Sequence, residues 1–200
     1  MGLKIVFMGT PEFAVGILDT IIKNNFEVVG VITAADKPAG RGQKIKYSAV
    51  KEYALEHNLK LLQPTNLKDE TFLAELRSLN ANLQVVVAFR MLPKVVWQIP
   101  SLGTFNLHAS LLPRWRGAAP IHRAIEAGDL ETGIAIMQMD LGLDTGAVIA
   151  MNKMPIAANQ TTATLHDALA KMGAQMIVET LNRFAQERHL KAVPQALEGI

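Results

Sequence analysis

Short apolar runs alternate with stretches of helical periodicity along nearly the whole of this 200-residue chain, and that alternation limits the possible folds. Residues 3–8 form a largely apolar run ended by Gly9, as expected of a strand buried on both faces. Thr10, Pro11 and Glu12 then read as a helix cap, a proline in the first turn and an acid at the positive end of the helix. Phe13, Ile17, Ile21 and Ile22 follow at helical spacing, and a strand over residues 27–33 completes a β-α-β unit. The pattern repeats, with helices predicted over 47–57, 68–79, 93–97, 117–127 and 162–188, and strands over 60–62, 83–89, 104–108, 133–139 and 147–154. Such alternation implies an α/β fold, a Rossmann-like, doubly wound, mostly parallel sheet with helices on both faces. Residues 148–156 are expected to run antiparallel at one edge.

Composition narrows the setting. Half of the residues are hydrophobic and 19% are charged, which is a globular balance rather than a disordered one. The formal charge of +2 is small, so any basic surface must come from local clustering. The absence of cysteine excludes disulfides and thiolate chemistry and suits a reducing compartment. The N-terminal apolar run is too short for a secretory signal, Val6 stands where a myristoylation pattern needs Ser or Thr, and no stretch reaches the ~18 apolar residues of a membrane span. A soluble, cytoplasmic, monomeric protein is expected, and the sequon at Asn159 carries no meaning in that setting.

One connection departs from the economy of the rest. Residues 34–46 are long for a βα loop, which usually takes about 2–6 residues, and they carry Lys37, Arg41, Lys44 and Lys46 against one acid, Asp36. A glycine-containing basic loop of this length is unfavourable to order unless something binds it.

The densest chemical signal is Phe105-Asn106-Leu107-His108-Ala109-Ser110-Leu111-Leu112-Pro113-Arg114-Trp115-Arg116-Gly117. Side chains alternate along a strand, so Asn106 and His108 share a face at its carboxyl end, where open α/β sheets bind ligands. An amide and an imidazole together there can bind a developing oxyanion and move a proton. A hydrogen-bonded core histidine beside a strand-end asparagine is the plainer reading of the same two residues. The following loop is apolar, aromatic and basic at once. Arg90, Lys94, Arg114, Arg116 and Arg123 also occur with no acid among residues 90–125, a field that favours an anion. Lys94 and Arg123 equally fit a solvated face.

A second signal is Met139-Asp140-Leu141-Gly142-Leu143-Asp144-Thr145-Gly146, a tight turn between expected strands. Asp140 reads as a turn former, whereas Asp144 is a candidate to hold the His108 imidazole. Gly9-Thr10-Pro11 lacks a dinucleotide fingerprint, the histidines lack ligand spacing so no metal is expected, and Met137, Met139, Met151 and Met154 read as core.

The stretch from Asn106 to Pro113, with the Asp144-Thr145-Gly146 turn, resembles the folate-dependent formyltransferases. Residues 9–14, 37–44, 114–121 and 132–140 resemble the methionyl-tRNA formyltransferases among them. The resemblance implies transfer of a formyl group from 10-formyltetrahydrofolate, a co-substrate, to the amino group of methionine on initiator tRNA, with no metal. It implies that Asn106 binds the formyl oxygen, that His108 handles the proton and that Asp144 orients His108. It assigns folate binding to Ser110, Leu111, Leu112 and Pro113, and a pterin pocket to Arg90, Met91, Leu92 and residues 138–143. It sets Arg41, with Lys37 and Lys44, against the tRNA acceptor end, where positive charge would grip phosphates without reading bases. It further implies a catalytic domain over residues 1–189, with 190–200 beginning a linker to a C-terminal β-barrel domain. Glycinamide ribonucleotide formyltransferases share the Asn, His and Asp, and the length of the chain suits them; the 34–46 insertion and the Arg-Trp-Arg-Gly-Ala-Ala-Pro run favour the tRNA enzymes. A sugar-nucleotide formyltransferase and a silent folate- or RNA-binding module are the remaining alternatives.

Overall fold

The computed structural model describes residues 2–42 and 44–196 of the chain. Gln43 of the expected basic motif and the last four residues of the expected linker lie outside the described residues. Among the described residues the main sheet has seven strands, and the chain divides into two compact units at Thr104/Phe105.

In the first unit, β1 (Lys4–Gly9), α1 (Glu12–Lys23) and β2 (Glu27–Ile32) form the expected β-α-β unit. Ile5, Val6, Phe7 and Met8 are all fully buried, so both faces of β1 are covered. The predicted helix cap is displaced by one residue. Pro11, not Thr10, occupies the N-cap with no side-chain bond, while the Thr10 carbonyl accepts from Val50 N–H at 3.2 Å. Glu12 lies in the first turn as expected.

The long basic connection is a two-stranded antiparallel hairpin, not a loop: β3 (Lys37–Ala39) pairs with β4 (Lys44–Lys46). Gly40 and Gly42, at φ of 77° and 95°, supply the left-handed backbone of its turn. Lys44, Ile45 and Lys46 of β4 are all exposed, so the hairpin offers hydrophobic periodicity little to read. At its stem, Asp36 accepts from Lys51 Nζ at 2.7 Å and Gln63 Nε2 at 2.8 Å. These bonds hold the Asp36 carboxyl below the usual carboxylate range. The unit continues with α2 (Ala49–Glu56), β5 (Leu61–Leu62), α3 (Glu70–Ser78), β6 (Leu83–Val87) and α4 (Lys94–Trp97). Ser48 and Asp69 cap α2 and α3 through bonds from Lys51 and Phe72 N–H. The β1–β2, β1–β6 and β2–β5 pairs are all parallel.

The second unit contains β7 (Thr104–His108), α5 (Pro120–Glu126), β8 (Glu131–Gln138), β9 (Val148–Pro155) and α6 (Thr162–Glu187). The strand that reverses direction is β8 rather than the expected edge segment, because β8 is antiparallel to both β7 and β9 and so leaves β9 running in the direction of β7. Burial does not encode direction: the wholly buried interior of β8 looks like that of a parallel strand. The helix-free link between β8 and β9 is too short for a parallel crossover, which needs about a dozen residues or more. Met137 is 1% exposed, in a cluster with Leu112 and Ala135, but Met151 is 50% exposed on the outer strand, contrary to the core reading. Helix α6 starts at a capping box between Thr161 and Thr164 and buries Leu165, Leu169, Ile177, Leu181 and Phe184. The Phe184 ring meets Phe105 edge-on at 5.0 Å. Among the described residues no helix is long and apolar enough to cross a membrane.

The loop after β7 is stapled from outside. Asp129 accepts two bonds from Arg114, at 2.8 and 2.7 Å, and one from Trp115 Nε1 at 2.7 Å. Arg114 is thus neutralised within the fold and does not add to the anion-attracting field expected of this loop. The Arg114 bonds hold the Asp129 carboxyl below the usual carboxylate range, against the opposing effect of burial, and Trp115 assists. A depressed folded-state value contributes stability above the unfolded value, about pH 4, that is lost as pH falls through the folded one. Asp129→Asn should therefore be less stable than the parent at neutral pH, with the gap closing in acid. Urea denaturation of both proteins across pH 7 to 2.5 tests this, and a gap independent of pH would refute it.

Candidate active site

Strand β7 delivers Asn106 and His108 to one face, two residues apart, opposite Met137 and Ala135 of β8. The turn between β8 and β9 brings Asp144 against both. Asn106 Nδ2 donates to Asp144 Oδ1 at 3.2 Å, and His108 Nδ1 lies 3.6 Å from Asp144 Oδ2. The second distance is that of an ion pair rather than a hydrogen bond. The three residues that sequence reasoning singled out from separate segments therefore converge.

The site is sheltered, with the His108 and Asp144 side chains 10% and 9% exposed. A buried carboxylate needs donors, and Asp144 takes a second hydrogen bond from Gly117 N–H, at 2.7 Å to Oδ2. His108 Nε2 lies 2.8 Å from the Trp115 carbonyl oxygen. A carbonyl only accepts, so Nε2 carries the proton in that bond, and Nδ1 faces a carboxylate on the other side. Only the imidazolium presents a donor to both neighbours. Asn106 Nδ2 has a second N–H, and its carbonyl is a further polar handle beside the imidazole. The cluster therefore brings together an amide donor, an imidazole and a carboxylate beside both, the groups that acid–base and oxyanion chemistry use.

Two supporting groups carried no sequence signal, because they are backbone: the Trp115 carbonyl and the Gly117 N–H. Both depend on a left-handed backbone, at φ of 58° for Trp115 and 91° for Gly117. Asp144 itself has φ 53°. Asp140 is the expected turn former, accepting from Gly142 N–H at 3.0 Å and Thr145 Oγ1 at 2.6 Å. Gly146 is required by close approach, since a Cβ there would collide with the Gln138 carbonyl oxygen.

The remaining expected site residues fall as follows. Ser110 is fully buried and donates to the Arg114 carbonyl at 2.7 Å, and Leu112 is 5% exposed in the core. Their side chains are used by the fold, so contact of either with a ligand would run through backbone. Leu111 and Pro113 are half-buried. In the first unit, Arg90 donates to the Pro64 carbonyl at 2.6 Å, Met91 is 58% exposed and Leu92 is buried. Lys37, Arg41 and Lys44 are exposed on the hairpin. Among the described residues, no group of three or more His, Cys, Asp or Glu is placed to hold a metal ion.

The methionyl-tRNA formyltransferase of Flavobacterium johnsoniae is 68% identical over 179 residues, 90% of this chain and 57% of that one. The chain thus spans less than two thirds of the length of this curated relative. Among solved structures, phosphoribosylglycinamide formyltransferase from Bacillus halodurans superposes with a TM-score of 0.76 at 21% identity, over 93% of this chain and 97% of that one. A sugar 3N-formyl transferase, solved in the presence of dTDP and 5-N-formyl-THF, gives 0.71 at 26% identity, over 99% of this chain and 68% of that one. Residues 3–181 match the formyl transferase family, a span from the first strand into the last turns of α6, and the chain belongs to that family.

Proposed function

We propose that this protein carries a formyl group from 10-formyltetrahydrofolate to the amino group of methionine on initiator tRNA, in the cytoplasm. The observation that carries the chemistry is the convergence of Asn106, His108 and Asp144 in a sheltered strand-end site. The acceptor amine attacks the formyl carbon, forming a new C–N bond, and the carbonyl oxygen takes up negative charge. The free N–H of Asn106 is suited to stabilise that oxyanion; one such donor is typically worth about 10²–10³ in rate. The intermediate collapses as the bond from the formyl carbon to the folate nitrogen breaks. The proton lost by the attacking amine ends on that leaving nitrogen, with His108 as carrier. Asp144 orients the ring and holds Asn106 in place. Ser110 to Pro113 with Arg90 to Leu92 are the proposed folate segments, by resemblance.

The choice of acceptor rests on the curated relatives, named methionyl-tRNA formyltransferases, and on the hairpin. Lys37 and Lys46 stand directly opposite each other across its two strands, a like-charge pairing that is unfavourable without an anion nearby. The one acid at its base, Asp36, is used by Lys51 and Gln63. Such a hairpin, with Arg41 at its tip, suits a phosphate backbone.

His108→Ala and Asp144→Ala should each lower formyl transfer by at least about 10²-fold while the far-UV circular dichroism stays native. Near-parental turnover in His108→Ala would sink the mechanism. Arg41→Ala should raise KM for charged tRNA several-fold, leave KM for the folate unchanged and reduce the salt slope of tRNA binding by about 1; an unchanged tRNA KM would remove the hairpin from the acceptor site. Radiolabelled formyl donor offered with Met-tRNA or glycinamide ribonucleotide tests the acceptor, and transfer to the ribonucleotide alone would overturn the choice.

A further inference from the structure

Beyond α6 the chain does not run off into solvent. Arg188 turns it through a left-handed conformation at φ 58°, and Val193 and Val148 then exchange both backbone hydrogen bonds at 2.8 Å, seating the segment along β9. Two residues later, Gln195 directs its side chain at the turn that carries Asp144. Its Nε2 donates to the carbonyls of Asp144 at 2.9 Å and Gly146 at 2.8 Å. Its Oε1 accepts from Arg116 Nε at 3.1 Å and Nη2 at 2.8 Å. Arg116 Nε also reaches the Asp144 carbonyl, at 3.2 Å. The orientation of the amide is dictated by its partners, since carbonyls only accept and a guanidinium only donates.

A glutamine outside regular secondary structure ordinarily points into water. This one instead makes four hydrogen bonds to Arg116, Asp144 and Gly146, which lie 79, 51 and 49 positions away in sequence. The turn it grips is otherwise held chiefly through the Asp144 carboxylate, which leaves the carbonyl side to Gln195 and Arg116. Leu141 and Leu143 are 70% and 53% exposed, and its internal side-chain bonds are those to Asp140. Asp144 must nevertheless keep a left-handed backbone, which a residue with a Cβ holds only where its surroundings constrain it.

We propose that Gln195 is a positioning residue: by fixing the carbonyls of Asp144 and Gly146 and the guanidinium of Arg116, it keeps the Asp144 carboxylate against His108 and Asn106. The consequence for turnover rests on the formyl-transfer reading above. Residues 193–196 then act as a strap on the catalytic turn, and Arg116 is tied to that strap rather than displayed to solvent.

Two variants test this in the intact protein, with melting temperature as the check on folding. Gln195→Met keeps the length of the side chain and removes both kinds of hydrogen bond. Gln195→Glu keeps the acceptor for Arg116 but puts a carboxylate where two carbonyls require a donor. Both should lower kcat about tenfold, because small displacements of a catalytic group are felt strongly in rate. KM for either substrate should change by less than about twofold, since uniform binding is untouched. The Gly117 amide, bonded to Asp144 Oδ2, provides a readout independent of turnover: its proton resonance should move, and its protection from exchange should fall, in both variants. Parental kcat and an unmoved Gly117 amide in Gln195→Met would overturn the proposal. Full activity in Gln195→Glu, or an effect confined to KM, would do the same. If the parent transfers no formyl group to any acceptor, the functional reading fails, and the Gly117 amide still decides whether Gln195 holds Asp144.

Discussion

A carboxylate that is only 9% exposed is unfavourable unless donors surround it, and the donors of Asp144 come from separate pieces of chain. Asn106 reaches it from β7, Gly117 from the loop that follows, and His108 faces it at 3.6 Å. Each of these groups is held in place by structure built for other reasons. The strand fixes the first and third through its register with β8, while the Arg114–Asp129–Trp115 staple holds the loop that presents the second. Removing the carboxylate would leave an amide, an N–H and an imidazole with nothing to converge on. The sheltered geometry of the site therefore follows from the need to satisfy this one charge.

The price of that convergence is visible in the backbone. Trp115, Ala119 and Asp144 all adopt left-handed conformations without being glycine, at φ between 53° and 58°. Residues of this kind persist only where surrounding bonds over-determine them, and they gather where function needs a group aimed against local preference. The indole of Trp115 is bonded to Asp129 while its carbonyl meets His108, so one residue is fixed at both ends. Asp144 is fixed through its carboxylate on one side and its carbonyl on the other.

Much of this was legible in the sequence, for identifiable reasons. The alternation of apolar runs and helical periodicity yields every main element within a few residues, because burial on both faces of β1 and β6 leaves continuous apolar runs. Asn106 and His108 are legible as a pair because alternation along a strand is a rigid rule. Direction is not legible in the same way, and so the reversal at β8 is missed: the apolar interior of β8 is the same whichever way it runs. The hairpin of β3 and β4 is missed because its signal is polar and its stem is held by Asp36 bonds to residues well along the chain. The contact of Asp144 with His108 is beyond spacing arguments altogether, being a matter of how two turns fold over one strand end.

Gln195 lies furthest from what a sequence discloses, and it shows why supporting residues escape motif reading. A motif records groups that act near one another in sequence, whereas support is set by whatever chain passes by. Here the passing chain is the segment after α6, brought back along β9 by a single two-bond bridge at Val193. One amide then satisfies two carbonyls and a guanidinium at once. An amide suits this task because it is at once a donor and an acceptor, which neither a carboxylate nor an ammonium can be. The geometry around Asn106 and His108 is therefore tied, through Asp144, to a residue some fifty positions beyond that turn.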